Sequence, residues 1–173
     1  MKLLFTLLGI LLIPSFSFSQ TTFKEHKGGQ EFTLSLPDYM TRTIGLNDAA
    51  SYQFKSSVKD VYGFVIVDSK EELKLAELFF ANIKEFFDDF ANNFVRDEKD
   101  RKMSKPESQK VGELNFMSCD ITYYDSEAKT EIYYFIGVVE TGNCFYKFLC
   151  WSSAENKDKF KADFMKTFLS LKD

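Results

Sequence analysis

Residues 111–152 read VGELNFMSCDITYYDSEAKTEIYYFIGVVETGNCFYKFLCWS, and this stretch decides the fold. Three segments rich in aromatic and aliphatic residues are separated by short turns at 125–129 and 141–143. Aromatic and β-branched residues between turn-forming residues are typical of β-strands. The sequence therefore predicts a meander of three antiparallel strands over Val111–Tyr124, Thr130–Glu140 and Cys144–Ser152.

Both faces of this predicted meander are apolar. Pairing the strands about their turns gives one face formed by Met117, Cys119, Ile121, Tyr123, Ile132, Tyr134, Ile136, Val138, Phe145, Leu149 and Trp151. The opposite face is formed by Leu114, Phe116, Tyr133, Phe135, Val139, Tyr146, Phe148 and Cys150. An antiparallel sheet usually leaves one face in water, so a sheet that is apolar on both faces needs a cover on each.

Two amphipathic segments can provide these covers. Apolar residues between Glu71 and Val95 recur at intervals of three and four, which predicts one long helix that begins at a capping box formed by Ser69 and Glu72. A second helix is predicted at the end of the chain, after a capping box formed by Ser152 and Glu155. Its apolar stripe consists of Phe160, Phe164, Phe168 and Leu171. We expect an α+β fold, an antiparallel sheet sandwiched between helices, with one helix on each face.

The segments before and between these elements complete the layout. Alternating residues predict a first strand over Glu31–Leu36, followed by a hairpin of Ala50–Ser56 and Val61–Val67. The segment Arg96–Gln109 is charged and contains a proline, so we expect a loop there. Residues 31–173 are predicted to form a single α+β domain, preceded by a polar lead-in over residues 20–30.

The N-terminus has the pattern of a secretory signal peptide. A positive residue, Lys2, precedes the apolar run Leu3–Ile13, and small residues at Ser17 and Ser19 fit cleavage before Gln20. The run spans eleven residues, whereas a helix needs about 20 to cross a bilayer. We therefore expect residues 1–19 to be a signal peptide rather than an uncleaved anchor. The mature protein would then be exported to a periplasmic or extracellular compartment, without stable insertion in the membrane.

Composition and charge limit the classes of molecule that the protein can bind. The formal net charge is −4, and mild acidity argues against nucleic acid, which requires a basic surface. Twenty Phe with only eight Gly and three Pro predict a packed aromatic core. These features favour a protein partner.

Three cysteines remain after the predicted cleavage. Cys144 and Cys150 lie on one predicted strand about 20 Å apart at the usual rise per residue, so they cannot pair with each other. Cys119 points to the opposite face in the predicted register. We expect buried thiols, which often behave as small apolar side chains. A disulfide involving Cys119 and a bond between molecules are the alternatives.

The residues of common catalytic and metal sites are scarce. The one histidine, His26, stands between charged residues, so a hydrolytic triad has no base in a pocket. Neither a C-x-x-C motif nor a pair of histidines is present, and we therefore expect no metal, cofactor or catalytic residue. Asp120 is a polar residue in the middle of a strand. A buried carboxylate is a candidate site, although Ser118 and Thr122 could satisfy it.

The order of elements resembles the PsbP-like fold, which is named for an extrinsic subunit of photosystem II and shared by many bacterial exported proteins. The resemblance covers about residues 30–171, including EFTLSLP at 31–37, YGFVIV at 62–67 and the closing FLSL at 168–171. Members often place a Trp just after the Pro of the first strand, where this chain has Tyr39. The N-terminal arm is also shorter than that of the photosystem subunit, so the resemblance does not imply photosynthesis. The resemblance implies a binding or assembly role, and it assigns no functional residues in this chain.

Three hypotheses about function follow from the sequence. The first is a non-catalytic exported binding or assembly module, which predicts an exposed apolar patch. The second is a carrier of a small apolar ligand, with Phe79 and Phe86 as candidate ligand-binding residues and an enclosed cavity between helix and sheet. The third is an enzyme that uses Asp120, which predicts an open cleft with a second polar group beside this carboxylate.

Overall fold

The computed structural model describes residues 21–29 and 32–173. The predicted signal peptide, residues 1–19, lies outside the described residues. The strands are β1 (Phe23–Gly28), β2 (Phe32–Pro37), β3 (Thr41–Thr43), β4 (Tyr52–Ser56), β5 (Val61–Ser69), β6 (Lys99–Met103), β7 (Glu107–Val111), β8 (Leu114–Asp125), β9 (Thr130–Glu140) and β10 (Cys144–Ser153). The helices are α1 (Lys70–Leu75), α2 (Ile83–Asn93) and α3 (Lys157–Leu169).

Eight of the described strands form one antiparallel sheet in the order β3-β4-β5-β10-β9-β8-β6, with β7 also paired to β8. The meander β8-β9-β10 at its centre confirms the prediction from residues 111–152, with Cys119 opposite Ile136 and Phe148 opposite Gly137. The predicted hairpin is also present as β4–β5, and β5 joins the meander by pairing with β10.

Each face of the sheet packs against a different helix. Phe86, Phe87 and Ala91 of α2 pack with the face that carries Met117 and Ile136. The opposite face packs against the aromatic stripe of α3, formed by Phe160, Phe164 and Phe168. The expected α+β sandwich with one helix on each face is therefore confirmed. Among the described residues, no helix is both long and apolar enough to cross a bilayer.

The first predicted strand lies outside the large sheet. It forms β2, which pairs with β1 as a separate two-stranded sheet, and its buried residues belong to the core on the α3 side. The polar lead-in therefore contains a strand, β1, that the sequence pattern did not predict. Reciprocal backbone hydrogen bonds of 2.8 and 2.9 Å between Thr33 and Lys172 attach this hairpin to the end of the chain.

A glycine allows α3 to lie close to the sheet. A Cβ atom at Gly137 would lie 2.6 Å from ring atoms of Phe168. Such a distance is far below van der Waals contact, so the ring occupies the space that any other residue would need at this position.

The prediction of one helix over Glu71–Val95 is wrong, because the chain leaves the helix after α1. The N–H of Leu78 donates to the carbonyl of Leu73 at 2.9 Å, and that of Glu77 donates to Lys74 at 3.1 Å. With Glu77 at a φ of 60°, these bonds form the Schellman motif that ends helices.

A new helix, α2, begins after Asn82, whose side chain accepts the Glu85 N–H at 3.1 Å. Asn82 therefore caps α2, while Ser69 occupies the N-cap position of α1. The predicted capping box at Ser69 is wrong, since its side chain makes no capping hydrogen bond.

The expected loop over Arg96–Gln109 is also wrong. β6 and β7 pair with successive parts of β8 and form one edge of the sheet. Their charged sequences are typical of edge strands, where charge discourages pairing with another chain. The second capping box is wrong as well: Ser152 belongs to β10, and a short 3-10 turn at Ala154–Asn156 precedes α3.

The cysteines are placed as the predicted register requires. Cys119 belongs to the core on the α2 side and Cys150 to that on the α3 side, so the sheet separates them. Burial, with the nearby Asp120 carboxylate, raises the pKa of Cys119 to about 12. Burial also raises the pKa of Cys150. Both side chains are therefore neutral thiols at neutral pH.

Candidate functional site

The last residue of α1 and the segment 76–82, which connects α1 to α2, carry an exposed apolar surface. The side chains of Leu75, Leu78 and Phe79 are 79, 51 and 71 % exposed. We call these three residues the connector patch. Large apolar residues that stay exposed as a group often mark interaction sites, whereas isolated ones such as Val58 are common on any protein surface.

Aromatic rings that pack between the connector and the sheet hold the connector in place. Phe86 of α2 stacks on Phe145 of β10 with ring centroids 4.3 Å apart and ring planes 8° apart. Phe80 packs edge-on against both rings, at 5.0 Å from Phe86 and 6.4 Å from Phe145. Together with the Schellman bonds of Leu78, this packing holds the connector patch in a defined position over the sheet.

Two open grooves flank the connector. The first has a volume of about 450 Å³ and is lined by Lys70, Leu73, Lys74, Leu78, Phe79, Phe80, Ala81, Glu85 and Phe145. The second has a volume of about 330 Å³ and is lined by Asp68, Leu73, Leu78, Phe80, Phe86, Asp89, Phe90, Asn93, Phe94 and Lys147. Leu73, Leu78 and Phe80 line both grooves and so separate them. Each groove can accept an apolar side chain or a small apolar molecule.

The surface around the patch is acidic. Between residues 71 and 89 the chain has six carboxylates and two lysines, a net charge of −4 that equals the formal net charge of the whole chain. Lys84 forms an ion pair with Asp88 on the same helix. Lys70 is held by the Glu140 carboxylate at 3.0 Å and by the carbonyl of Thr141 at 2.8 Å.

Several of these carboxylates have no cation of their own. Within residues 21–29 and 32–173, Glu71, Glu72 and Glu77 form no ion pair. The negative charge around the patch is therefore available to a binding partner.

The two phenylalanines proposed from the sequence lie in this region with different roles. Phe79 is exposed and lines the first groove, whereas Phe86 is buried and supports it through Phe145. The sequence analysis missed Leu75 and Leu78, because a continuous helix would have turned part of this apolar sequence toward the sheet. The N-x-x-E spacing of Asn82 and Glu85 was the available sign of a new helix start.

Asp120 lies on the opposite face of the sheet and is not part of this site. Its carboxylate accepts hydrogen bonds from the Tyr133 hydroxyl at 2.9 Å and from Lys161 Nζ at 2.6 Å. Lys157 Nζ lies 3.0 Å from the same oxygen that Lys161 contacts. The expected partners Ser118 and Thr122 do not take this role, so that part of the prediction is wrong.

The surroundings of Asp120 do not favour acid–base chemistry. Burial by itself raises the pKa of this carboxyl, but hydrogen bonds from Lys161, Lys157 and Tyr133 outweigh it and leave the pKa below its usual value. The adjacent space has a volume of about 10 Å³, room for about one water molecule. Asp120 therefore ties two lysines of α3 to the centre of the sheet.

Other polar residues add no second site. His26, which the sequence placed in the polar lead-in, is half-buried on β1 with its ring 6.2 Å from that of Tyr52. In the described part of the chain, no group of three or more His, Cys, Asp or Glu side chains could hold a metal ion.

Comparisons of sequence found no matching family model and no matching curated protein. Comparison of structures found similarity to cyanobacterial PsbP (CyanoP) from Synechocystis sp. PCC 6803, with a TM-score of 0.61 and 13 % identity over 93 % of this chain and 98 % of that chain. It also found similarity to LpqN of Mycobacterium tuberculosis, which is described as involved in cell envelope biogenesis. That match has a TM-score of 0.58 and 11 % identity, and it covers 88 % of this chain and 89 % of LpqN. At these identities the similarity concerns the fold, and the chain has the PsbP-like fold.

Proposed function

We propose that this protein is a non-catalytic exported binding module that docks a protein partner through the connector patch. The observation that carries the proposal is the position of Leu78 and Phe79, which are exposed beside two apolar grooves and anchored by the stacked pair Phe86 and Phe145. Apolar anchors surrounded by polar groups are the usual centre of a protein interface.

Export is supported by two independent features. Residues 1–19 have the pattern of a signal peptide, with a positive start, a short apolar run and small residues before Gln20. LpqN, which shares the fold, is described as involved in cell envelope biogenesis. A periplasmic or extracellular binding role agrees with both.

The energy available at the patch is sufficient for a specific interaction. Complete burial of a Leu or Phe side chain contributes about 2 kcal/mol. Replacing both Leu78 and Phe79 by serine should therefore weaken binding by about 3 kcal/mol or more, which corresponds to at least about a hundredfold.

The test compares the L78S/F79S double variant with wild type and with V58S. Val58 is 98 % exposed in the turn between β4 and β5, so V58S removes an apolar side chain without touching the connector. Each protein is used to capture partners from the envelope fraction of the native host, and bound proteins are identified by mass spectrometry. The captured partner is then purified, and its affinity for each variant is measured.

We expect wild type and V58S to bind the same partner with equal affinity, and L78S/F79S to lose it. Both variants should be as stable as the wild type, because the replaced side chains are exposed. A partner that binds L78S/F79S as well as wild type would contradict the proposal.

A carrier of a small apolar ligand is the second candidate. It is supported by the first groove, whose volume of about 450 Å³ and apolar lining suit such a molecule. This groove is open to solvent, whereas the sequence hypothesis required an enclosed cavity. Native mass spectrometry of protein purified from its host tests this candidate: a stoichiometric bound molecule that F79S lacks would favour the carrier.

A further inference from the structure

We infer that the partner contacts this protein through a basic amphipathic segment, with apolar side chains in the two grooves and Lys or Arg side chains opposite the acidic surface. This inference rests on the proposed function and specifies the chemistry of the partner. It is carried by two observations, the arrangement of the grooves and the position of the charge.

The grooves favour a segment with at least two apolar anchors. They lie on either side of Leu78 and Phe80, and each has aromatic residues in its lining. A single apolar side chain could fill one groove only. A segment that crosses the connector can place one apolar side chain in each groove and cover Leu78 between them.

The charge favours basic residues next to these anchors. The stretch 71–89 has a net charge of −4, while the rest of the chain is balanced. Lysines also line the grooves, but Lys70 is paired with Glu140 and Lys147 with Asp68. The carboxylates of Glu85 in the first groove and Asp89 in the second form no ion pair within the described residues. Charged groups at the rim of an interface are usually complementary across it, and they exclude partners of the same sign.

The same charge argues against an anionic membrane as the occupant. Proteins that insert apolar side chains into anionic bilayers carry Lys and Arg around them. Between residues 70 and 89, six carboxylates outnumber three lysines, and Lys70 and Lys84 are paired with Glu140 and Asp88. An anionic lipid surface would be repelled.

The inference can be tested by selecting peptides from a random displayed library on the purified wild-type protein, with L78S/F79S as the counter-selection. Enriched peptides are synthesised, and their affinities are measured at low and high salt. We expect enriched peptides to contain two or more apolar residues together with Lys or Arg, and to bind more weakly at high salt because salt screens exposed charges.

A charge-reversal pair provides the matched control. E71K/E77K reverses two carboxylates beside the patch, whereas E127K/E131K makes the same net change in the β8–β9 turn and at the start of β9, away from the connector. The first variant should lower the affinity of the enriched peptides by at least about tenfold. The second should leave it unchanged.

The outcomes separate this inference from the proposed function. Neutral or acidic peptides that depend on Leu78 and Phe79 would overturn the inference and leave the proposed function intact. Equal affinities for E71K/E77K and E127K/E131K would also overturn the inference alone. A library that yields no peptide specific for wild type over L78S/F79S would count against both.

Discussion

Asp120 shows how a single buried charge connects helix and sheet. The carboxylate lies in the middle of β8, and its partners come from β9 and from two positions of α3. The sequence indicated a buried polar residue on this face because Asp120 interrupts an apolar strand. It gave no sign of the partners, since Lys157 and Lys161 lie far along the chain and meet Asp120 only when α3 docks.

Replacing Asp120 by asparagine should destabilise the protein by about 2 kcal/mol at neutral pH, because two lysines and a tyrosine lose an ionised acceptor. Lys157 and Lys161 are partly exposed, so solvent screening keeps the loss below that of a fully buried pair. Urea unfolding measures this difference, with E127Q at an exposed turn as the control. A loss no larger than that of E127Q would contradict the role assigned to Asp120.

The effect of D120N should depend on pH with a defined sign. The pKa of Asp120 is lower in the folded protein than its ordinary value of 3.8. Its contribution to stability is therefore fully present above about pH 4 and is lost as the pH falls through the folded-state pKa. Urea unfolding of wild type and D120N between pH 7 and pH 3 should show the two stabilities converging in acid. A gap that is constant or widens toward pH 3 would be inconsistent with a lowered pKa.

At the scale of elements, the strands were easier to predict than the helix boundaries. Residues 111–152 alternate between two apolar faces and are divided by two short turns, and these features define the three strands and their pairing. The break after α1 had no such signal, because Glu77 occupies a left-handed position that usually carries glycine. Exposure of Phe79 follows from that break. The sequence therefore identified Phe79 and Phe86 as candidates but assigned them to an enclosed cavity instead of an exposed surface.

The break itself predicts the effect of a substitution. Glu77 has a φ of 60°, which costs about 1 kcal/mol for a residue with a side chain. E77G should therefore stabilise the protein by up to about 1 kcal/mol. E72G, within α1, should instead destabilise it by about 1 kcal/mol. The free energies of unfolding of both variants are measured by thermal or urea unfolding. If E77G destabilised the protein as much as E72G does, the Schellman ending of α1 would be contradicted.

The docking of α3 depends on Gly137. A methyl group at this position would lie 2.6 Å from the Phe168 ring, and overpacking of this kind costs about 1–3 kcal/mol. G137A should therefore lower the free energy of unfolding by about 2 kcal/mol. G142A is the matched control, because a Cβ at Gly142 meets no atom within 4 Å. Equal stability of the two variants would mean that Phe168 does not pack on Gly137.

At the scale of the whole molecule, the two faces of the sheet are covered in different ways. The α3 face is closed by a full-length helix and the β1–β2 hairpin. The other face is covered by α2 and by the connector, whose outer side chains remain in water. Its acidic residues account for the net charge of the chain. The layered fold was predictable from the two apolar faces of the meander, but the asymmetry between its covers was not.

Photo-crosslinking at position 79 tests the central claim most directly. The full chain is expressed in its native host with a photoreactive phenylalanine analogue in place of Phe79 or, as control, in place of Val58. We predict a light-dependent adduct with one protein of the cell envelope from position 79 and none from position 58, because Phe79 lies at the docking surface and Val58 does not. The same adducts from both positions, or none from position 79, would contradict the account.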